Sequence, residues 1–285
     1  MSRTKWRVGL GAWLMAGSLA AQNPPAPAAA PSPTPAQAAQ PDGATGAAPT
    51  PRPPTTSTGA IATPAALPSA QEIFDKYAAA IGGRDAWKKL TSRISRGTVK
   101  IEGIDGTATL LVYERAPLDN LSMITLSNGA VVRDGVDAKG GWEQDPTGKV
   151  KSLEGARGVD SRTGANFYYE VELGKVYPHA KTMGQRTADG RLAYVVEASA
   201  PGGSLRWLYF DAETWLRFRT DIFENVLSPS PTTIERYDDY KEVDGIKFPF
   251  KASARGEGGS IDFRFTVVHH NVTVTDDEVA RPISN

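Results

Sequence analysis

The amino-acid sequence predicts an α+β fold in which one large antiparallel sheet curls over a few helices. Three observations lead to this prediction. Helical spacing of apolar residues is clear in a short stretch that begins near Ser69. After Leu90, apolar residues recur mainly at every second position. Glycine-containing turns then separate short strands, which is typical of an antiparallel meander and not of a doubly wound sheet.

The first helix is predicted from its capping residues. Ser69 and Glu72 have the spacing of a capping box, in which each side chain binds the backbone N–H of the other residue. Apolar residues follow at helical spacing, and Gly82-Gly83 ends the helix because glycine accepts the left-handed conformation without strain. A second short helix is expected over Arg84–Leu90, with Trp87 facing inward.

Strands are predicted where apolar and polar residues alternate. In the stretch 261–267, one face is expected to hold Ile261, Phe263, Phe265 and Val267. In the stretch 215–222, one face is expected to hold Leu216, Phe218 and Ile222. Further strands are expected at Thr107–Arg115, Leu121–Leu126, Arg191–Ala198 and Leu205–Asp211.

A segment in the middle of the chain differs from the strands around it. The apolar residues of 156–172 fit a helix or a lid better than a strand, because they do not alternate with polar ones. Gly158 and Gly164 weaken a helix there by up to about 1 kcal/mol each relative to alanine. Together with the N-terminal helices, this segment is expected to cover the concave face of the sheet.

Residues 1–20 have the residue order of a secretory signal. Arg3, Lys5 and Arg7 precede a short apolar run, and small residues lead up to an expected cut after Ala20. The apolar run is shorter than the roughly 20 residues that a membrane-spanning helix needs. Cleavage would deliver a soluble periplasmic protein, whereas a retained signal would tether the domain to the inner membrane.

A spacer is predicted between the signal and the folded domain. Residues 21–68 contain 13 of the 21 prolines, and their only charged residues are Asp42 and Arg52. Such a segment cannot bury enough apolar surface to offset the entropy of ordering, so we expect a disordered linker. In an extended polyproline-like state it could reach about 150 Å at most. Residues 69–285 then form one folded domain.

Composition excludes several classes of protein. The chain has no cysteine, which excludes a lipid-anchored cysteine, disulfides and thiolate metal sites. Its formal net charge is zero, and removing residues 1–20, with three cations and no acid, leaves −3. The mature chain therefore lacks the basic surface of a nucleic-acid-binding protein. We expect a monomer.

No sequence motif indicates a catalytic site. The chain has no nucleophile elbow, metalloprotease helix or phosphate-binding loop, so we expect no enzymatic activity, cofactor or metal. His269 and His270 are adjacent on a predicted strand and should point to opposite faces, so they cannot share one metal ion. An uncharacterised hydrolase, with His179 or His269 beside a carboxylate, remains an alternative.

Three motifs resemble one family of exported proteins. Tyr209–Leu216 reads YFDAETWL and is similar to the YFD-x-x-T-x-L hairpin of the LolA/LolB lipoprotein-carrier superfamily. Tyr237–Pro249 resembles the DY-x-x-VDG-x-x-x-P strand-turn-strand that follows it, and Ile73–Trp87 resembles the opening helix pair. The resemblance implies a half-barrel, an open antiparallel sheet whose concave side is plugged by helices.

The resemblance also implies a soluble periplasmic carrier or binder of lipid or acylated lipoprotein, with an envelope membrane protein as a further partner. A carrier is needed because exposing a chain of sixteen carbons to water costs on the order of 12 kcal/mol. The aromatic-rich sheet is expected to keep an apolar hollow for the acyl chain. Its expected lining comprises Leu110, Val112, Met123, Leu208, Phe210, Leu216, Phe218, Phe263 and Phe265. The alternative is an envelope scaffold or interaction module without lipid cargo.

Overall fold

The computed structural model describes residues 66–283, so the expected signal and nearly all of the expected linker lie outside the described residues. Thirteen strands form one open antiparallel sheet, which confirms the predicted fold class. The strands are β1 (Ser92–Ile101), β2 (Ala108–Arg115), β3 (Asp119–Thr125), β4 (Val131–Asp137), β5 (Gly140–Gln144), β6 (Val150–Ser152), β7 (Lys181–Ala188), β8 (Arg191–Ala198), β9 (Leu205–Asp211), β10 (Arg217–Phe223), β11 (Thr233–Val243), β12 (Ile246–Gly256) and β13 (Gly259–His270).

The helices of the described residues are short. They are α1 (Ala70–Ala80), α2 (Arg84–Lys88), α3 (Gly155–Ala165), α4 (Leu173–Val176) and α5 (Asp276–Val279), with a 3-10 helix at Tyr169–Val171. None of these helices is both long and apolar enough to cross a bilayer.

The sheet consists of two meanders joined at its centre. Strands β1 to β6 follow one another in space, as do β7 to β13, and β1 pairs with β13 in the middle. The outermost strands, β6 and β7, are therefore consecutive in the chain. The segment 153–180 has to run from one edge of the sheet to the other, and it packs across one face of the sheet. We call this the covered face.

Helix α1 begins as the capping residues predict. The backbone N–H of Ser69 donates to Glu72 Oε2 at 2.7 Å, and the backbone N–H of Glu72 donates to Ser69 Oγ at 3.2 Å. The buried rings of Phe74 and Tyr77 contact Phe210 of β9 edge-on, with centroids 5.9 Å and 5.2 Å apart. These contacts fix α1 on the covered face.

Helix α2 follows a glycine turn, as expected, and ends two residues earlier than predicted. Gly82 has φ +109°, and a Cβ there would lie 2.3 Å from the backbone oxygen of Gly245, so only glycine fits. Trp87 is buried and donates from Nε1 to the backbone oxygen of Ile81 at 3.2 Å, and Leu90 is also buried.

The middle segment forms a helical cover, as predicted. We use the name helical cover for residues 155–176, which comprise α3, the 3-10 helix and α4. Phe167, Tyr169 and Leu173 of this cover are buried in one cluster with residues of α1 and β9. The helical cover and the N-terminal helices thus share the same side of the sheet.

One predicted strand face is wrong at its last residue. The β1–β13 register shifts between Arg96 and Gly97, so that Gly97 pairs with Phe265 but Arg96 pairs with Val267. This bulge inserts an extra residue into β13. As a result Val268, and not Val267, joins Phe265 in the buried cluster on the covered face.

Candidate ligand-binding face

The covered face has two parts with different packing. In the first part, residues of β8 and β9 such as Val196, Leu208 and Phe210 pack against α1 and the helical cover. The second part, which we call the strand cluster, takes its buried residues from strands on both sides of the sheet centre. Its members are Val99, Ala108, Leu110, Val112, Ile124, Val132, Tyr237, Phe248, Ala252, Ala254, Ile261, Phe263, Phe265 and Val268.

The strand cluster is a continuous apolar surface. Across the sheet, Ala108 pairs with Val99, Val99 with Phe263, Phe263 with Ala252, and Ala252 with Tyr237, so these side chains lie in one row on one face. No helix of residues 66–283 contributes to this cluster. The helices meet the cluster at Phe248, which lines a small cavity together with Tyr77 of α1 and Trp87 of α2.

Seven of the nine predicted lining residues lie on the covered face. Leu110, Val112, Phe263 and Phe265 belong to the strand cluster. Leu208 and Phe210 are buried beneath the helices, and Leu216 is half-buried beside them. The structure thus divides these seven between the two parts of the face.

Met123 does not lie with Leu110. In the β2–β3 register Leu110 pairs with Ile124, whereas Met123 pairs with Leu111. Residues directly opposite each other share a face and neighbours along a strand alternate, so Met123 points to the other side of the sheet. The assignment of Met123 to the covered face is therefore corrected.

Phe218 also lies on the other side of the sheet. The β9–β10 register shifts between Arg217 and Arg219, with Arg217 paired to Phe210 and Arg219 paired to Tyr209. Phe218 is the extra residue, and its ring contacts that of Tyr209 at a centroid distance of 6.4 Å. The prediction for Phe218 assumed strict alternation along the strand and is wrong. The bulge adds one residue to β10, so the residues before it point to the opposite face from the one that alternation predicts.

Three buried ion pairs on the covered face have no counterpart in the sequence prediction. Arg206 Nη2 lies 3.1 Å from Asp160 Oδ2, and Arg217 Nη2 lies 2.6 Å from Glu170 Oε1. In the third pair, Arg93 Nη2 donates to Glu114 Oε1 at 2.6 Å. Pairing is what allows an arginine to be buried, because an isolated buried charge is very costly.

The Arg217–Glu170 pair is surrounded by tyrosines. The hydroxyl of Tyr77 donates to Glu170 Oε2 at 2.6 Å, and the guanidinium of Arg217 lies 4.6 Å from the ring centroid of Tyr237. The hydroxyl of Tyr240 donates to the backbone oxygen of Arg217 at 2.7 Å. Burial raises the pKa of Tyr77 and of Tyr237 well above the usual range, so both hydroxyls stay protonated.

Helix α3 forms ion pairs with strands of both meanders of the sheet. Arg157 Nη2 lies 3.0 Å from Glu143 Oε2 of β5, and Asp160, one turn later, pairs with Arg206 of β9. Strand β5 is second from one edge of the sheet and β9 is third from the other edge. One helix is thus joined by an ion pair to each of the two meanders.

The helix-covered part has little empty space where α1, α2 and the sheet meet. A cavity lined by residues that include Tyr77, Trp87, Arg93 and Phe248 measures about 10 Å³, which is room for about one water molecule. A hydrocarbon chain does not fit there without movement of the helices. Of the strand cluster only Phe248 lines this cavity, so the rest of the cluster is the better candidate for a ligand.

The histidines do not form a metal site within the described part of the chain. His269 is exposed and His270 is buried, as expected for neighbours on a strand, and His270 Nδ1 lies 2.9 Å from Asp244 Oδ2. His179 is exposed in a loop. Among residues 66–283, no three histidine or acidic side chains are placed to hold a metal ion together.

An open, curled antiparallel sheet with a helical cover on its concave face defines the half-barrel class of folds. Two solved structures share this fold. A LolA superfamily protein from Nitrosomonas europaea is 12% identical with a TM-score of 0.52, covering 75% of this chain and 99% of its own. A DUF1329 family protein from Desulfovibrio piger is 15% identical with a TM-score of 0.51, covering 74% of this chain and 96% of its own.

These likenesses confirm the fold that the hairpin motifs of the sequence predicted. No protein-family model and no curated protein matches the chain.

Proposed function

We propose that this protein is a soluble periplasmic carrier or binder of lipid or of acylated lipoprotein. The observation that carries the proposal is the strand cluster, a continuous apolar surface to which no helix of residues 66–283 contributes a buried member. Burying a methylene group against such a face contributes about 0.8 kcal/mol, which makes an acyl chain a favourable occupant.

Small side chains shape this face into a site for a chain. Ala252 and Ala254 occupy successive inward positions of β12, and Ala108 lies across the sheet on β2. Larger side chains such as Phe263 and Tyr237 flank them. Short side chains beside aromatic ones suit a narrow hydrocarbon tail better than a flat protein surface.

The expected export signal and linker support the periplasmic location. The residue order of 1–20 is that of a cleaved signal, and 21–68 would be a spacer ahead of the domain 69–285. An envelope membrane protein would then deliver or accept the cargo. Mass spectrometry of the exported protein tests this part, since a mature start near Ala21 supports it and an intact residue 1 contradicts it.

Lipid uptake is tested with the purified exported protein and a fluorescent fatty acid. Phe263→Trp enlarges a side chain inside the strand cluster, whereas Phe218→Trp makes the same change at a buried position on the other face. We expect about tenfold weaker uptake for Phe263→Trp and less than about twofold change for Phe218→Trp. Equal effects of the two variants would contradict the site.

A second candidate function is an envelope scaffold or interaction module without lipid cargo. The observation that favours it is the small volume, about 10 Å³, of the cavity beneath α1 and α2. Native mass spectrometry of the protein taken from its own envelope separates the two. Copurified lipid supports the carrier, whereas a stable protein complex without lipid supports the module.

A further inference from the structure

Asp134 is a buried carboxylate without a described partner. Its side chain is completely buried on β4, and no described residue donates a hydrogen bond to Oδ1 or Oδ2. On the covered face it pairs with Ser122 of β3 on one side and with Glu143 of β5 on the other. A buried polar group without a partner costs about 1–3 kcal/mol, and more when it is charged. Such a group calls for an explanation.

Other polar atoms around Asp134 are unsatisfied as well. Asn120 Oδ1 is buried without a donor, and Asn120 pairs with Val136, two residues beyond Asp134 on the same face. Ser161 Oγ of α3 is buried without a partner above Gly141, which itself pairs with Val136. One patch of the covered face, under α3, therefore gathers acceptors on a carboxylate, an amide and a hydroxyl.

Two acidic side chains lie side by side in this patch. Asp134 and Glu143 face each other across β4 and β5, and Arg157 already pairs with Glu143 at 3.0 Å. Burial, and to a lesser extent Glu143, raises the pKa of Asp134 well above its usual range. An anionic head group in this place would meet two acidic side chains, and the Arg157 cation that pairs with Glu143 would not be free to neutralise it.

The patch adjoins the strand cluster directly. Val132, two residues before Asp134 on β4, belongs to the cluster and pairs with Ile124 of β3, which pairs in turn with Leu110. A ligand whose tail lies on Leu110, Ile124 and Val132 would bring its other end to Asp134. Val132 therefore offers an amphiphile an apolar contact, and Asp134, two residues further along β4, offers a polar one.

We propose that Asp134, with Asn120 and Ser161, binds the polar head of the cargo, and that this head is a hydrogen-bond donor, an amine or a hydroxyl, and not an anion. The inference rests on the proposed carrier function and adds the chemistry of the cargo head to it. Asp134 acts as the specificity residue, since its unsatisfied oxygen atoms favour a hydrogen-bond donor, and Arg157, already paired with Glu143, is not free to neutralise a carboxylate or phosphate group.

The test compares amphiphiles that share one chain and differ in the head. Dodecylamine, dodecanol and dodecanoate are titrated into the full-length protein below their micelle concentrations, followed by calorimetry. We expect dodecylamine and dodecanol to bind at least about tenfold more tightly than dodecanoate. Asp134→Asn should reduce the preference to less than about threefold, because it replaces one oxygen with a donor NH2 group and keeps the shape.

Asp137→Asn provides the matched control on the same strand. Asp137 is half-buried and lies three residues further along β4, so it faces the other side of the sheet. The Asp137→Asn variant should therefore keep the head-group preference of the parent protein. Asp134→Asn removes a buried carboxyl group that has no described partner, so we expect a folded variant with an unfolding midpoint no lower than that of the parent.

The outcomes separate the two proposals. If no amphiphile binds, the carrier function is wrong. If all three bind with equal affinity, or if Asp134→Asn keeps the full preference, the carrier function stands and the assignment of Asp134 to the head group is overturned.

Discussion

Asp160 of α3 and Arg206 of β9 form an ion pair in which the side chains are only 6% and 3% exposed. Asp160 Oδ1 also accepts a hydrogen bond from the backbone N–H of Ser204 at 3.2 Å. The two residues belong to different layers, one to the helical cover and one to the sheet. Their contact therefore anchors the cover to the second meander.

Removing one charge of this pair should strongly destabilise the domain. Asp160→Asn leaves the Arg206 guanidinium buried without its carboxylate, and such a loss costs about 3–5 kcal/mol. Urea denaturation should show this decrease in the free energy of unfolding. Asp75→Asn is the control, because Asp75 and Arg84 form an exposed pair. It should cost less than about 1 kcal/mol, and equal losses in the two variants would contradict the role of burial.

The stability of the domain should depend on pH through Asp134. Burial raises the folded-state pKa of Asp134 above the unfolded value, so the folded state holds its proton to higher pH. The contribution of the protonated group is complete at low pH and is lost as pH rises through the folded-state pKa. Asp134→Asn has no such group. Glu143 and Arg157 face Asp134 in both proteins and therefore act equally in the comparison.

The measurement is the free energy of unfolding of both proteins from about pH 4 to about pH 8, where each unit of difference in pKa is worth about 1.4 kcal/mol. We expect the parent protein to lose stability relative to Asp134→Asn as pH rises. Parallel pH profiles would show that the carboxyl group of Asp134 does not titrate differently in the folded state.

The bulge at the sheet centre should require glycine at position 97. A Cβ on Gly97 would lie 2.2 Å from the backbone oxygen of Arg264 on β13, and a backbone atom in a central strand cannot move away easily. Gly97→Ala should cost about 1–3 kcal/mol or more, measured by urea denaturation. Ser95→Ala, two residues away, removes a buried hydroxyl without a described partner and should be neutral or stabilising. If Gly97→Ala lowers the free energy of unfolding by less than about 1 kcal/mol, β13 can move away from the added Cβ, and glycine is not required at position 97.

Regular strands and their turns could be predicted from the sequence. The bounds of Arg191–Ala198 and Leu205–Asp211 agree residue for residue with the structure. Both strands follow sharp turn signals, and they pair with each other without a shift in register. The capping box of Ser69 was equally clear because it depends only on local spacing.

The bulges and the buried charges could not be predicted in the same way. Phe218 and Val267 lie next to shifts in register, and a shift depends on the partner strand and not on the strand itself. The sequence does not show that Arg206 and Arg217 are buried, because arginine is rarely buried unless it is paired. Their partners, Asp160 and Glu170, come from the helical cover, so only the tertiary fold brings them together.

The pairing of β1 with β13 makes the domain sensitive to loss of its C-terminal residues. The first and the last strand form the seam between the two meanders. A chain that stops before Gly259 would lack β13 and would leave β1 and β12 as two new unpaired edges. Unpaired edges recruit strands from other molecules, so such a truncated chain would aggregate instead of folding into a smaller domain.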